Sequence, residues 1–359
     1  MSDKSVLLLT PSRGLGGGIE RYVQTVQSAF DEAGVITRRL DLARPGPAGH
    51  LALLARARAT LADAPPPDRL VIAHRALLPV ATALARTRRV GGISVICHGS
   101  DVWGQRWKLR WLAESALMRR PGVRIVAVSS FTAGAMFPGS QATVLPPGLS
   151  RAWYGELAEA GRAAMVPSSP AGSPPDGAGL EVMTAFRLAE WREKGLPELT
   201  AAIAALGRDD VTLSVCGSGE PPAGLLSHLR GYPWCRLRPG LSDTALAALY
   251  ARASLFVLAT RTKGGKQPCG EGFGLVLLEA QVAGTAVVGP AHGGSLDAYV
   301  NGVTGLTPRD ESATALAQVI GTLLGSPSRL REMGAQGAAW AQSRYAPDRY
   351  ALQVIDRLL

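Results

Sequence analysis

The stretch GEGFGLVLLE, residues 270–279, decides the fold of this chain. A strand-like apolar run at residues 254–259 and a polar loop at 260–269 come before it, which predicts a strand–loop–helix unit. Glu271 lies among glycines before the helix, and Glu279 lies two turns inside it. Backbone N–H groups and the positive end of the helix dipole favour an anion at such a loop. The stretch therefore predicts a parallel α/β domain with an anion site.

Strand-like and helical stretches alternate along the whole chain, which predicts two halves of similar architecture. The Pro-, Gly- and Ser-rich residues 166–180 predict a linker between them. We expect two doubly wound domains, 1–165 and 181–335, and a helical tail at 336–359 that a proline kinks. The expected strands are residues 5–10, 70–73, 93–97, 125–128, 143–145, 181–185, 211–216 and 254–259.

The composition predicts a folded protein without disulfides. Of 359 residues, 47% are hydrophobic and 18% are charged, which excludes a disordered chain. The first apolar run is too short for a signal peptide, and no run reaches the ~18 residues that cross a bilayer. The four cysteines form no CxxC pair, so we expect reduced thiols, a cytoplasmic protein and no zinc site.

The net charge of +10 lies in the first half. Residues 1–165 hold 21 Lys and Arg against 11 Asp and Glu, whereas residues 166–359 hold 17 of each kind. This favours an anionic partner such as phospholipid headgroups or a phosphorylated acceptor; arginine scattered over a solvated surface is the alternative. Trp103, Trp107 and Trp111, with basic residues between them, predict a buried helix face, with a peripheral membrane contact or a contact with the acceptor as the alternatives. A nucleic-acid partner is not expected, because the sequence has no helix-turn-helix, zinc or aromatic-sheet signature.

Arg187 and Lys194 follow the first strand of the second half. Fixed cations neutralise the charge of a departing diphosphate, Arg by bidentate contact and Lys as a point charge. The sequence has no D-x-D pair of the kind that holds a diphosphate through Mg²⁺ or Mn²⁺. We therefore expect neither a metal nor another cofactor.

Glycines and a histidine follow other predicted strands. Gly16 and Gly17 precede the first helix, and Gly217 and Gly219 follow the second strand of the second half. Glycines allow a phosphate or sugar to approach the backbone closely. His98 ends a strand of the first half, and ligands of open α/β sheets bind outside the carboxyl ends of strands. All five residues are candidates for a ligand site.

Four segments resemble signatures of the retaining glycosyltransferases of family 4, which have the GT-B fold. The two glutamates resemble E-x7-E, and residues 187–195 resemble R-L-x-x-x-K-G with two more residues between Arg and Lys. Residues 17–21 resemble G-G-I-E-R, and residues 98–103 resemble H-G-x-D/E-x-W. The resemblance covers nearly the whole chain and is strongest at residues 187–305.

This resemblance implies two Rossmann-like domains facing across a cleft, with the C-terminal helix packing back on the first. It implies a nucleotide-diphosphate sugar bound by the second domain, an acceptor held mainly by the first, and retention of the anomeric configuration. Arg187 and Lys194 would stabilise the diphosphate, Glu271 and His98 would contact the donor hexose, and Glu279 would contact the ribose. The remaining residues that the family pattern implies are Gly272, Phe273, Gly274 and Leu275 for the donor, and Glu20 and Asp101 for the acceptor.

The sequence leaves several alternatives open. A non-catalytic nucleotide-sugar-binding protein or a nucleotide-sugar epimerase on the same fold would share these motifs. The donor is a UDP- or a GDP-hexose, and the acceptor is a cell-envelope lipid or polysaccharide or a secondary metabolite. The sequence does not predict the oligomeric state.

Overall fold

The computed structural model describes residues 4–11, 18–87, 90–103, 109–165, 179–263 and 269–359. The chain divides into two compact units. The first consists mainly of Met1–Ser150 and Pro347–Leu359, and the second of Arg151–Lys263 and Cys269–Ala346.

The first unit is built on a parallel six-stranded sheet. Its strands are β1 Ser5–Thr10, β2 Ile36–Asp41, β3 Arg69–Ile72, β4 Ile93–Cys97, β5 Val123–Ala127 and β6 Ala142–Val144, in the order β2-β1-β3-β4-β5-β6. Its helices before Ser150 are α1 Gly18–Glu32, α2 Pro47–Ala62, α3 Leu78–Thr87, α4 Gly99–Val102, α5 Leu109–Met118 and α6 Ser130–Gly134. Strands β1 and β4 are buried over almost their full length, which explains their uninterrupted apolar sequences.

The second unit repeats this architecture. Its strands are β7 Leu180–Ala185, β8 Val211–Gly217, β9 Cys235–Pro239, β10 Leu255–Val257, β11 Val287–Val288 and β12 Gly305–Leu306, in the order β12-β11-β10-β7-β8-β9. Its helices are α7 Arg151–Met165, α8 Leu196–Ala205, α9 Ala223–Leu229, α10 Asp243–Arg252, α11 Leu275–Val282, α12 Ala313–Leu324 and α13 Pro327–Tyr345. All pairs in both sheets are parallel, as the βα alternation predicts.

Helix α7 belongs to the second unit, although the sequence places residues 151–165 in the first domain. It packs on α10 and α11. At Gly161 the approach is so close that an added Cβ would lie 2.7 Å from the carbonyl oxygen of Ala283. The amphipathic pattern of α7 predicts a buried face but not the unit that covers it. Of the predicted linker, residues 166–178 lie outside the part of the chain that the structure describes.

The tail is divided at Pro347. Helix α13 ends at Tyr345 within the second unit, and a last helix, α14 Pro347–Leu358, belongs to the first. There the hydroxyl of Tyr350 donates to the carbonyl of Pro146 at 2.8 Å, and that of Ser94 donates to the carbonyl of Leu358 at 2.7 Å.

The sheets, helices and core therefore confirm the predicted doubly wound α/β class. Over the described residues, no helix combines the length and apolarity that crossing a membrane requires.

Candidate functional site

Glu271 and Lys194 meet at the carboxyl edge of the second sheet. The Lys194 Nζ lies 3.0 Å from Glu271 Oε2, and the two side chains are 20% and 15% exposed. Lys194 precedes α8, whereas Glu271 follows the loop after β10, so the fold joins residues that lie 77 positions apart. A largely buried pair that keeps some exposure is available to a ligand while its geometry is held by the protein.

Gly195 allows this approach. Its φ is +70°, and an added Cβ would lie 1.9 Å from the carbonyl oxygen of Ala259, just beyond β10. The start of α8 and the end of β10 therefore touch through backbone at a position where only glycine fits. Burial, the largest single cause, lowers the pKa of Lys194, but the charge and the hydrogen bond of Glu271, together with the charge of Glu190, outweigh it and raise the pKa above its ordinary value. Lys194 is therefore a fixed cation.

The glycine-rich loop that carries Glu271 is fastened to a second loop. The N–H of Gly294 donates to the carbonyl of Glu271 at 2.8 Å, and at Gly293, with φ of +108°, an added Cβ would lie 2.9 Å from the same oxygen. Gly274, with φ of +84°, precedes the first residue of α11, Leu275. Phe273 is buried beside this turn. The eight-residue helix α11 thus begins beside the Glu271–Lys194 pair, where its dipole favours an anion.

Arg187 lies at the end of β7, next to the turn that carries Gly217 and Gly219. An added Cβ on Gly217 would lie 2.1 Å from the carbonyl oxygen of Phe186, so this glycine lets the two strand ends meet. Gly219 adopts a φ of +90° beyond it. The side chain of Arg187 is 45% exposed, and its Nη1 lies 2.6 Å from Glu190 Oε1. It is therefore an accessible cation in the same unit as Lys194.

Glu279 occupies a different environment. Its side chain is only 2% exposed. Trp153 Nε1 donates to one carboxylate oxygen at 3.0 Å, and the Tyr250 hydroxyl donates to the other at 2.7 Å. Glu279 thus joins α7, α10 and α11 within the second unit. Its contact with a ribose stays a prediction.

His98 lies at the carboxyl end of β4 in the first unit and is 8% exposed. Its Nε2 is 2.9 Å from the carbonyl oxygen of Ala73, which can only accept, so Nε2 carries the proton. Burial, followed by the charge of His74, lowers the pKa of His98 to about 3. The ring of Tyr22 packs edge-on against it at 5.8 Å between centroids. His98 is therefore a neutral imidazole in a defined tautomer.

Several other predicted residues carry less structural information. Gly16, Gly17 and Trp107 lie outside the described residues, as do the side chains of Asp101 and Trp111. Glu20 lies in the first turn of α1, and Gly272 is half-buried before α11. Trp103 packs at 5.4 Å edge-on to Phe131 and contacts the core of the first unit, which favours core burial for that member of the tryptophan series.

Four residues at these sites were not singled out from the sequence: Thr260, His74, Trp153 and Tyr250. His74 and Thr260 each follow a parallel strand at its carboxyl end, so their position in the chain was a usable signal. Trp153 and Tyr250 lie inside helices, and nothing in their local sequence indicates that they share one carboxylate. Among the residues that the structure describes, no cluster of His, Cys, Asp and Glu could hold a metal ion.

Comparison with known proteins agrees with the resemblance that the sequence predicts. Residues 180–326 match the family model described as "Glycosyl transferases group 1", which confirms the predicted resemblance. A GDP-mannose-dependent alpha-(1-6)-phosphatidylinositol monomannoside mannosyltransferase of Mycobacterium tuberculosis is 29% identical over 296 residues, covering 79% of this chain and 74% of that protein.

Solved structures agree on the fold. A sucrose-phosphate synthase from Thermosynechococcus elongatus superposes with a TM-score of 0.76 at 19% identity, covering 98% of both chains. Anabaena HepE, solved with UDP and glucose, superposes with a TM-score of 0.72 at 17% identity and the same coverage. The predicted GT-B fold is confirmed.

Proposed function

Because residues 180–326 match the family model described as "Glycosyl transferases group 1", we propose that this chain transfers a hexosyl group from a nucleotide-diphosphate sugar to an acceptor hydroxyl. The transfer retains the anomeric configuration and needs no metal ion. The observation that carries the proposal is the contact between Lys194 and Glu271 at the carboxyl edge of the second sheet, beside the start of α11. Such a site offers a cation and backbone amides to a diphosphate and a carboxylate to a sugar hydroxyl.

The chemistry follows from the charges. As the glycosidic bond to the diphosphate breaks, negative charge grows on the leaving oxygen, and Lys194, Arg187 and the N-terminal amides of α11 stabilise it. The departing phosphate takes the proton of the acceptor hydroxyl on the same face of the sugar, so that no protein base is required. Glu271 accepts a hydrogen bond from the hexose and so orients it.

The donor we propose is GDP-mannose, and the acceptor is a phosphoinositide-like lipid or a related anionic polyol. The mannosyltransferase relative supports both choices, since its name states a GDP-mannose donor and a phosphatidylinositol monomannoside acceptor. The excess of positive charge in residues 1–165 also suits an anionic acceptor. Peripheral contact with an acidic membrane face is part of the same proposal.

A thermal-shift panel of nucleotides and nucleotide sugars, followed by a transfer assay, tests this function. A ligand at 100 times its dissociation constant stabilises a protein by about 2.7 kcal/mol, so we expect GDP-mannose to raise the melting temperature by several degrees and UDP-sugars to raise it less. Glu271→Ala should lower transfer sharply while GDP binding changes little. Equal loss of GDP and GDP-mannose binding in that variant would contradict the proposed contact between Glu271 and the sugar.

A further inference from the structure

Thr260 is a buried hydroxyl residue at the carboxyl edge of the second sheet. It lies three residues beyond the end of β10 and is 3% exposed. Its Oγ1 donates to Glu271 Oε2 at 3.1 Å. The same oxygen receives the Lys194 ammonium at 3.0 Å. Two donors from two different segments therefore converge on one carboxylate oxygen.

This convergence fixes the carboxylate in one orientation. A carboxylate held by Lys194 alone keeps the freedom to turn about its last torsion, because the ammonium is a point charge without directional preference. A second, directional donor removes that freedom. The hydroxyl has its own position fixed by burial beside β10, whose backbone continues into Ala259 and touches Gly195. Thr260 thus fixes the position of the Glu271 carboxylate relative to both Lys194 and the end of β10.

The two donors also distinguish the two oxygens of Glu271. With Oε2 engaged twice, no described side chain donates to Oε1. An ionised carboxylate accepts at both oxygens, so among the residues that the structure describes Oε1 is left available to a ligand. A hydroxyl of the substrate is the chemical group that matches it.

We propose that Thr260 is a positioning residue: its hydroxyl holds Glu271 Oε2 against Lys194 so that Oε1 points at a hydroxyl of the transferred sugar. The proposal rests on the proposed glycosyl transfer. It assigns no contact between Thr260 and the substrate, and it requires that Thr260 act through Glu271.

Three single variants test the hydroxyl. Thr260→Val keeps the shape and removes the donor, and we expect kcat for transfer to fall about tenfold, equivalent to ~1.4 kcal/mol in the barrier. Binding of GDP should change less than threefold, since Arg187 and the α11 amides remain. Thr260→Ser keeps the donor and should stay within twofold of the wild type. Thr200→Val removes a comparably buried hydroxyl that donates to the backbone of Pro197 and lies 3.0 Å from His228 Nε2, and it should leave kcat unchanged.

A double-mutant cycle decides whether Thr260 acts through Glu271. In a Glu271→Ala background, measured by single-turnover transfer of labelled sugar, Thr260→Val should cause no further loss. A full tenfold loss in that background, or Thr260→Val with wild-type kcat, overturns the proposal. Failure of the proposed function is a different result, in which the wild-type protein itself neither binds nor turns over any nucleotide sugar.

Discussion

Truncation of Glu279 separates its two roles, the structural one that the contacts show and the ribose contact that the family pattern implies. Glu279→Ala leaves the indole N–H of Trp153 and the hydroxyl of Tyr250 without this acceptor. A hydrogen bond to a charged group contributes roughly 1.5–3 kcal/mol, and because Trp153 is only half-buried we expect a combined loss of about 3 kcal/mol. In a unit of this size, that loss lowers the unfolding midpoint by about 6–12 °C.

Calorimetry and GDP titration on three variants provide the assay. Trp153→Phe removes one of the two donors and keeps the carboxylate. It should therefore lower the free energy of unfolding by about half as much as Glu279→Ala does, and GDP affinity should stay within twofold. Glu279→Gln keeps an acceptor oxygen for one donor and should be less destabilising than Ala. A Glu279→Ala midpoint within 1 °C of the wild type would refute the structural role. A loss of GDP affinity in Trp153→Phe equal to that in Glu279→Ala would refute direct contact with the ribose.

The remaining predictions concern a backbone contact, a titration and the charge of the first half. Gly195→Ala should lower the free energy of unfolding by at least ~2 kcal/mol and abolish transfer. Gly207 also has a positive φ but has open space around it, so Gly207→Ala should cost only the backbone strain; equal effects of the two variants in denaturant melts would rule out the clash with Ala259. Because the pKa of His98 is lower in the folded protein, the unfolded chain binds a proton at acidic pH that the folded chain does not bind. The contribution of neutral His98 to stability is therefore present above pH ~6.5 and is lost as the pH falls toward about 3. In acid titrations, His98→Gln should lose less stability over that window than the wild type, and an unchanged curve contradicts this. Transfer to an anionic acceptor should fall as salt rises, because exposed charges are screened beyond about 8 Å at physiological ionic strength. Hydrolysis of the donor, which we propose is bound by the second unit, should change less, and salt-independent transfer would point to a neutral acceptor.

Strands that are buried on both faces were predicted well from the sequence. β1 and β4 have the predicted bounds, because a parallel strand covered by helices on both sides has an uninterrupted apolar run. β2, with the sequence ITRRLD, and β9, with CRLRP, were not predicted. Both are edge strands, so polar side chains interrupt the pattern. The two-residue strands β11 and β12 are too short to have a pattern of their own.

The candidate site was predicted as a set of residues, and its contacts were not. Motif spacing indicates Lys194 and Glu271 separately, whereas their 3.0 Å contact depends on the packing of α8 against the end of β10. The engagement of Glu279 by Trp153 depends on α7 packing in the second unit, which no local pattern determines. Thr260 has no motif of its own, and its relation to Glu271 emerges only when the loop after β10 is folded.

The most direct test of the central claim is the anomeric configuration of the product, followed by NMR from GDP-mannose in the presence of excess EDTA. A metal-independent retaining transferase in which Lys194 and the α11 amides stabilise the diphosphate must give a product with the donor's own configuration, at a rate that EDTA leaves unchanged. The Lys194→Met variant in the same assay should lose most of its activity. An inverted product, or activity that EDTA abolishes and Mn²⁺ restores, would contradict the proposed mechanism.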